Sequence, residues 1–248
     1  MMAEIAKLRR TRTLLMGVLL SSGIALFACM NLFDGGRIGD FAAGPYTSWA
    51  SHLIGFSMAE AFLGPLQLAL IASRVVDAEH ASGGWRLNAI AGIRPGELVT
   101  RKLAVAGLIV FCLKLLEFGV VAGLPILLGA PTPDLNLLGT WIRFTIGVAG
   151  TSFALLAVML WLAAVVDSQI TVLAAGVVGG FLGIAALLSP AWLASVNPFG
   201  SIALLTPFVF SDNGVVATSP HWLLWTAHLV VAGVLFAVGT RALNRKEV

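Results

Sequence analysis

Three ionisable side chains, Glu60, Lys114 and Glu117, stand inside otherwise apolar runs. A charge at the centre of a bilayer costs about 2.5–3.5 kcal/mol on insertion scales, so each needs a partner or a water-lined path. Lys114 and Glu117 are three residues apart, share one helical face and can neutralise one another. Glu60, halfway along the preceding apolar run, can also reach Lys114. Two readings stay open: a salt bridge that fixes packing, or a polar patch that lines a substrate path or latches a conformation. Gln67, Asp167 and His228 are further polar groups at or within these runs, read as packing or interface residues. Other chemistry has no support. The chain has no G-x-x-x-x-G-K-[ST] to cradle ATP phosphates, no H-E-x-x-H and no G-x-S-x-G. His52, His80, His221 and His228 do not cluster as metal ligands would, and Cys29 and Cys112 form neither a metal pattern nor a disulfide framework. The sequence therefore carries no catalytic centre and calls for no cofactor or metal of its own.

A second constellation is the 29-residue stretch Arg74–Lys102, which holds five of the fifteen Lys and Arg. Asp77 and Glu79 come early, Gly83-Gly84 breaks the chain, and apolar Trp85, Leu87, Ile90 and Ile93 then recur on one face of a short amphipathic helix. Pro95-Gly96 signals a turn, and Arg101 and Lys102 open the next apolar run. This order suits a docking element, polar enough to face water and apolar enough to sit in a groove. The alternative is a long basic loop that does no more than set topology.

The elements that must position these groups follow from composition. Of 248 residues, 58% are hydrophobic and 11% charged, with a mean hydropathy of +0.96. A soluble domain carries about 25% charge, so this is an integral membrane protein, and its +3 net charge marks topology rather than nucleic acid. Six runs are long enough to span: about 14–33, 48–73, 103–128, 139–166, 172–188 and 221–242. The basic, then apolar N-terminus reads as a retained first span rather than a cleaved leader. Twelve of the fifteen basic residues (Lys7, Arg9, Arg10, Arg12, the five of Arg74–Lys102, Arg241, Arg245 and Lys246) fall on one side, which places both termini and the charged segment in the cytoplasm. Arg37 and Arg143 fall on the other side. Trp49, Trp141, Trp192, Trp222 and Trp225 lie near outer ends of spans, as interfacial rings do. Between the last two spans, Ser189–Trp222 is too apolar for an ordinary loop and too broken by Pro190, Pro198, Pro207 and Pro220 for a span, which suits a re-entrant or interfacial segment. Gly176, Gly179, Gly180 and Gly183 make two small-xxx-small steps, for a dimer contact or for packing within one chain. The expectation is an all-α polytopic protein, a single transmembrane domain over residues 1–248.

The charged loop and the six-span plan resemble the ABC-2 type permeases, the membrane subunits of a class of ABC transporters. The family's recurrent E-x-x-x-G-x-[WY] pattern, a Pro/Arg turn and a Lys opening the third span correspond here to Glu79, Gly83 or Gly84, Trp85, Arg94-Pro95 and Lys102. The Arg-before-Pro order departs from the commoner Pro-before-Arg form. The resemblance implies a coupling helix between the second and third spans, with Asp77, Glu79, Gly84, Trp85, Arg86, Arg94 and Lys102 as coupling residues and Glu79 and its neighbours in a cleft of the ATPase. It further implies a cytoplasmic ABC ATPase that carries ATP and Mg, a second copy or homologous permease, and the bacterial plasma membrane. The length and build look most like permeases of lantibiotic or bacteriocin self-immunity and bacitracin resistance, exporting an antimicrobial peptide or a lipid-linked molecule. The rival readings are an ion-coupled carrier using Glu60 and Glu117, and a non-transporting membrane scaffold.

Overall fold

A computed structural model describes residues 12–33, 37–212 and 214–245. The topology markers Lys7, Arg9, Arg10 and Lys246 lie outside them. Six helices are long and apolar enough to cross a membrane: α1 (Thr13–Cys29, continued as a 3-10 turn to Phe33), α3 (Pro45–Ala81), α5 (Pro95–Leu127), α6 (Leu135–Val165), α7 (Gln169–Leu187) and α10 (Trp222–Leu243). Short helices α2 (Arg37–Ala43), α4 (Gly84–Ile90), α8 (Ala191–Val196) and α9 (Ser201–Leu205) join them, with strands β1 (Phe208–Ser211) and β2 (Gly214–Ala217).

Local chemistry sets the boundaries. Pro45 and Pro95 occupy the first turns of α3 and α5, where a missing N–H costs nothing. Asp134 caps α6, its carboxylate accepting from Leu137 N at 2.7 Å. Gly83, at φ +62°, supplies the left-handed residue between α3 and α4. The two helices that flank the charged segment run well past the apolar boundaries of residues 73 and 103. At 37 and 33 residues they extend about 55 and 50 Å, against a hydrocarbon core of about 30 Å. Hydropathy marks only where the lipid ends, so the charged turns that continue each helix escaped it.

The bundle is organised on α3, which packs most extensively on α7, then on α1 and α6. Pro65 lacks the N–H that would serve the Ala61 carbonyl. Glycines of α7 press against that stretch. An added Cβ at Gly183 would strike the Ala61 carbonyl oxygen, one at Gly180 the Phe62 carbonyl oxygen, and one at Gly176 the Ala69 side chain at 2.6 Å. Gly179 faces the Phe199 ring instead. All four glycines therefore work in close packing within the chain.

Two further positions differ from their expectation. Trp49 and Trp141 are each only 1% exposed. They do not sit at a lipid interface but form a buried aromatic cluster, with ring centroids 5.8 Å apart at 89°, beside Phe56 and Phe144. Two large rings meeting edge to face bury more surface against each other than at the bundle's rim.

The segment before α10 is neither a plain loop nor a span. It breaks at its prolines into α8 and α9, and α9 buries Ile202, Leu204 and Leu205 against the bundle. An antiparallel hairpin follows, pairing Phe208 with Ala217 and Ser211 with Gly214. Asp212-Asn213-Gly214 between two apolar runs is the sequence signal for it; the prolines around it drew attention to broken helices instead.

Substituting Gly180 with Leu should lower the thermal midpoint of the purified protein by an amount corresponding to about 1–3 kcal/mol of overpacking. Gly233→Leu, where an added Cβ meets nothing, should leave it unchanged in the same melt.

Candidate functional site

The charged segment folds as a strapped lever. α4 stands between the end of α3 and the start of α5, and the Glu79 carboxylate holds it there. Glu79, on the last turn of α3, pairs with Lys102 on α5 at 2.9 Å, each 1% exposed. Lys102 also donates to the Val75 carbonyl at 2.9 Å. The other Glu79 oxygen accepts from Asn88 Nδ2 on α4 at 3.2 Å, and Asn88 donates to the Gly84 carbonyl at 2.8 Å. A Cβ at Gly84 would overlap that same Glu79 oxygen. The two glycines thus have separate reasons: Gly83 for its backbone angle, Gly84 for clearance under the carboxylate.

This corrects the sequence expectation for Glu79. A buried, paired carboxylate is not available to a cleft in another protein; it anchors the lever from beneath. Trp85 likewise turns inward, its Nε1 donating to His80 Nδ1 at 3.2 Å. Asp77 is half-buried, while Arg86 and Arg94 are exposed, Arg94 as the extended residue before Pro95. The large apolar residues left outward on α4 are Leu87 and Ile90, 64% and 84% exposed. At the other edge of the lever, Asn244 after α10 accepts the otherwise orphaned Gly96 N–H of α5 at 2.8 Å.

His80 was not among the expected site residues, yet it links three elements. Its Nε2 lies 3.0 Å from the Ala163 carbonyl of α6, which requires an N–H there. Its Nδ1 lies between Trp85 Nε1 and Asp167 Oδ1, the latter at 2.9 Å in the turn between α6 and α7. An indole only donates and a carboxylate only accepts. The neutral ring therefore serves Trp85 and the charged ring serves Asp167, one at a time. No spacing rule joins residues 80, 85 and 167, so only packing could reveal the cluster.

The intramembrane charges also come together. Lys114 Nζ donates to Glu60 Oε2 at 2.7 Å and to Glu117 Oε2 at 2.8 Å. Ser21 of α1 and Gln67 of α3 donate to the remaining Glu117 oxygen at 2.6 and 2.8 Å, and Gln67 also donates to Ser21. The three charged side chains are at most 2% exposed. α5 meets α3 over less length than α1, α6 or α7 do, so this cluster is a large part of what joins them. Among the described residues Glu60 Oε1 and Gln67 Oε1 have no hydrogen-bond partner, so Glu117 is the better-held carboxylate. His228 bridges Ser201 Oγ and the Ser195 carbonyl, which ties α10 to α8 and α9. Among the described residues no group of three or more His, Cys, Asp or Glu could hold a metal ion.

Breaking one partner of a buried pair costs about 3–5 kcal/mol, whereas replacing both with apolar groups is often neutral. Glu79→Gln should lower the unfolding midpoint and open the 81–95 segment to limited proteolysis, and the Glu79→Leu/Lys102→Met double variant should recover most of the midpoint. In the membrane cluster, Glu117→Gln should destabilise more than Glu60→Gln, read in the same melts, because Glu117 accepts three bonds from side chains other than Glu60.

Comparison with known proteins agrees with this architecture. The family described as ABC-2 family transporter protein matches residues 1–183, which include α1 through most of α7 and both charged clusters. No curated protein matches the chain. The matched region covers most of the chain, including α1, α3, α5, α6, most of α7 and the strapped lever, and the protein belongs to the ABC-2 transporter family as a membrane permease subunit whose ATPase is a separate cytoplasmic partner.

Proposed function

We propose that this permease couples a cytoplasmic ABC ATPase to the export of an amphipathic substrate, an antimicrobial peptide or a lipid-linked molecule, through α4. The observation that carries the proposal is the lever itself. α4 is tied to α3 and α5 by the Glu79–Lys102 pair and Asn88, yet it turns Leu87 and Ile90 outward. A surface that is rigidly held and apolar on its free side transmits a push; a loop that only set topology would need neither the tie nor the apolar face. On this reading Leu87, Ile90, Arg86 and Arg94 make the contact with the ATPase. Glu79, Gly84 and Lys102 pass its motion to α3 and α5, and Trp85 and His80 pass it to α6.

The working unit is two permeases, this chain with a second copy or a homologous one, and two ATPases, in a bacterial plasma membrane with both termini cytoplasmic. Residues 1–248 form one transmembrane domain in it, and ATP and Mg act on the partner. Lipid or the second permease covers α10, whose Leu223, Val230, Val231, Val234 and Val238 are exposed. Family membership favours ATP-driven transport over an ion-coupled carrier or a scaffold. The burial and mutual pairing of Glu60, Lys114 and Glu117 support a packing role for those charges.

The test is co-purification with the ATPase in mild detergent. Leu87→Asp/Ile90→Asp should reduce the bound ATPase roughly tenfold, the effect of about 1.4 kcal/mol at the contact, with membrane insertion unchanged. Glu79→Leu/Lys102→Met should keep the ATPase bound but lose transport. Equal ATPase recovery with the Leu87/Ile90 variant would sink the assignment of α4 as the contact.

A further inference from the structure

At the end of the molecule opposite α4, a cavity of about 400 Å³ opens between the start of α3, the start of α6, the hairpin and the start of α10. Arg143 lines it and is the exception in its surroundings. It sits in the apolar run Trp141-Ile142-Arg143-Phe144, and its Nε donates to the Gly139 carbonyl of its own helix at 3.2 Å. Among the described residues no carboxylate pairs with it, so the terminal guanidinium nitrogens are left for something else. Tyr46, Asn136 and Ser219 contribute further donors to the cavity, and Trp222 and Phe208 contribute rings. Asp134 lies at its edge, with one oxygen committed to the α6 cap.

The depths of the two charges are informative. Asp134 is at the first turn of α6. Arg143 starts nine residues further in, but its bond to Gly139 draws the guanidinium back by about a turn. Along the axis the two charges are then separated by about 7 Å, close to the thickness of one polar headgroup layer, about 5–8 Å. The cation is the deeper of the two. In a zwitterionic phospholipid the phosphate lies on the glycerol side and the amine lies outward, which is the complementary order. Phe144, Leu205 and Pro207 give the cavity an apolar wall for the start of the chains. Aromatic faces, here Tyr46 and Trp222, favour an ammonium nearby.

We propose that this cavity is a binding site for the headgroup of an amine-bearing phospholipid, phosphate on Arg143 and amine toward Asp134. The site does not depend on the ATPase reading and can be tested without an ATPase. It assigns a ligand to a basic residue that the topology rule leaves on the wrong side of the membrane. It also gives the hairpin a role as the cavity's wall.

The experiment is native mass spectrometry of the full chain released from nanodiscs that hold equal phosphatidylethanolamine and phosphatidylglycerol, with soluble phosphoethanolamine and inorganic phosphate as competitors. Wild type should retain phosphatidylethanolamine preferentially. Arg143→Gln should weaken retention about tenfold, as loss of a charge-assisted bond does, and Arg143→Lys should restore part of it. Asp134→Asn keeps a good helix cap and should shift the preference toward phosphatidylglycerol. Arg245→Gln, the same charge change on an exposed residue at the other end, should alter nothing. Equal retention by wild type and Arg143→Gln would overturn the site. So would displacement by inorganic phosphate alone, which would mean a simple anion pocket with no recognition of amine or lipid.

Discussion

Two lysines of α5 reach across to carboxylates of α3, and much of the bundle is arranged to keep both pairs dry. Lys114 holds Glu60 midway along the helices and Lys102 holds Glu79 at the end that carries α4. Direct helix contact between α3 and α5 is limited, so these pairs stand in for side-chain packing. Buried charges are costly to bring out of water and costly to separate once buried. α5 is therefore free to carry polar residues on one face, but not free to slide along α3. Ser21 and Gln67 donate to Glu117, the second carboxylate on Lys114, which brings α1 into the same arrangement.

On its other side α3 is held by the opposite device. α7 contributes glycines where α5 contributes lysines, and backbone approaches backbone around Pro65. In a membrane there is no hydrophobic gain from one apolar helix meeting another, so close van der Waals approach takes its place. The central helix is thus fixed by charge on one flank and by the absence of side chains on the other. The element to which α4 is tied is therefore rigid rather than a loop.

α6 connects the two ends of the molecule. Its N-terminal turns carry Asp134 and Arg143 at the cavity, and its last turn offers the Ala163 carbonyl to His80. No proline interrupts its 31 residues. Trp225 of α10 donates to Thr151 near the middle of α6, and an added Cβ at Gly150 would meet the same indole ring at 3.0 Å, which keeps the peripheral helix in register with it. The histidine that joins α4, α3 and the turn after α6 can satisfy either Trp85 or Asp167, so the end that carries α4 has two hydrogen-bonding arrangements around one ring.

The sequence by itself determined the class, the six spans and the place of the charged segment, because the hydrocarbon core imposes a length and a polarity that no other feature can override. It also identified Glu60, Lys114 and Glu117 as a group, since two of them share a helical face and a lone charge there is improbable. Only the tertiary structure decided what Glu79 faces, that Trp49 and Trp141 are core residues, and that Gly176, Gly179, Gly180 and Gly183 pack within one chain. Each of these depends on which helix lies alongside, and in a protein whose every span is apolar, hydropathy carries almost no information about neighbours. The links between residues 79 and 102, 80 and 167, and 21 and 117 are set by helix register, a property of packed pairs that no single run of residues contains.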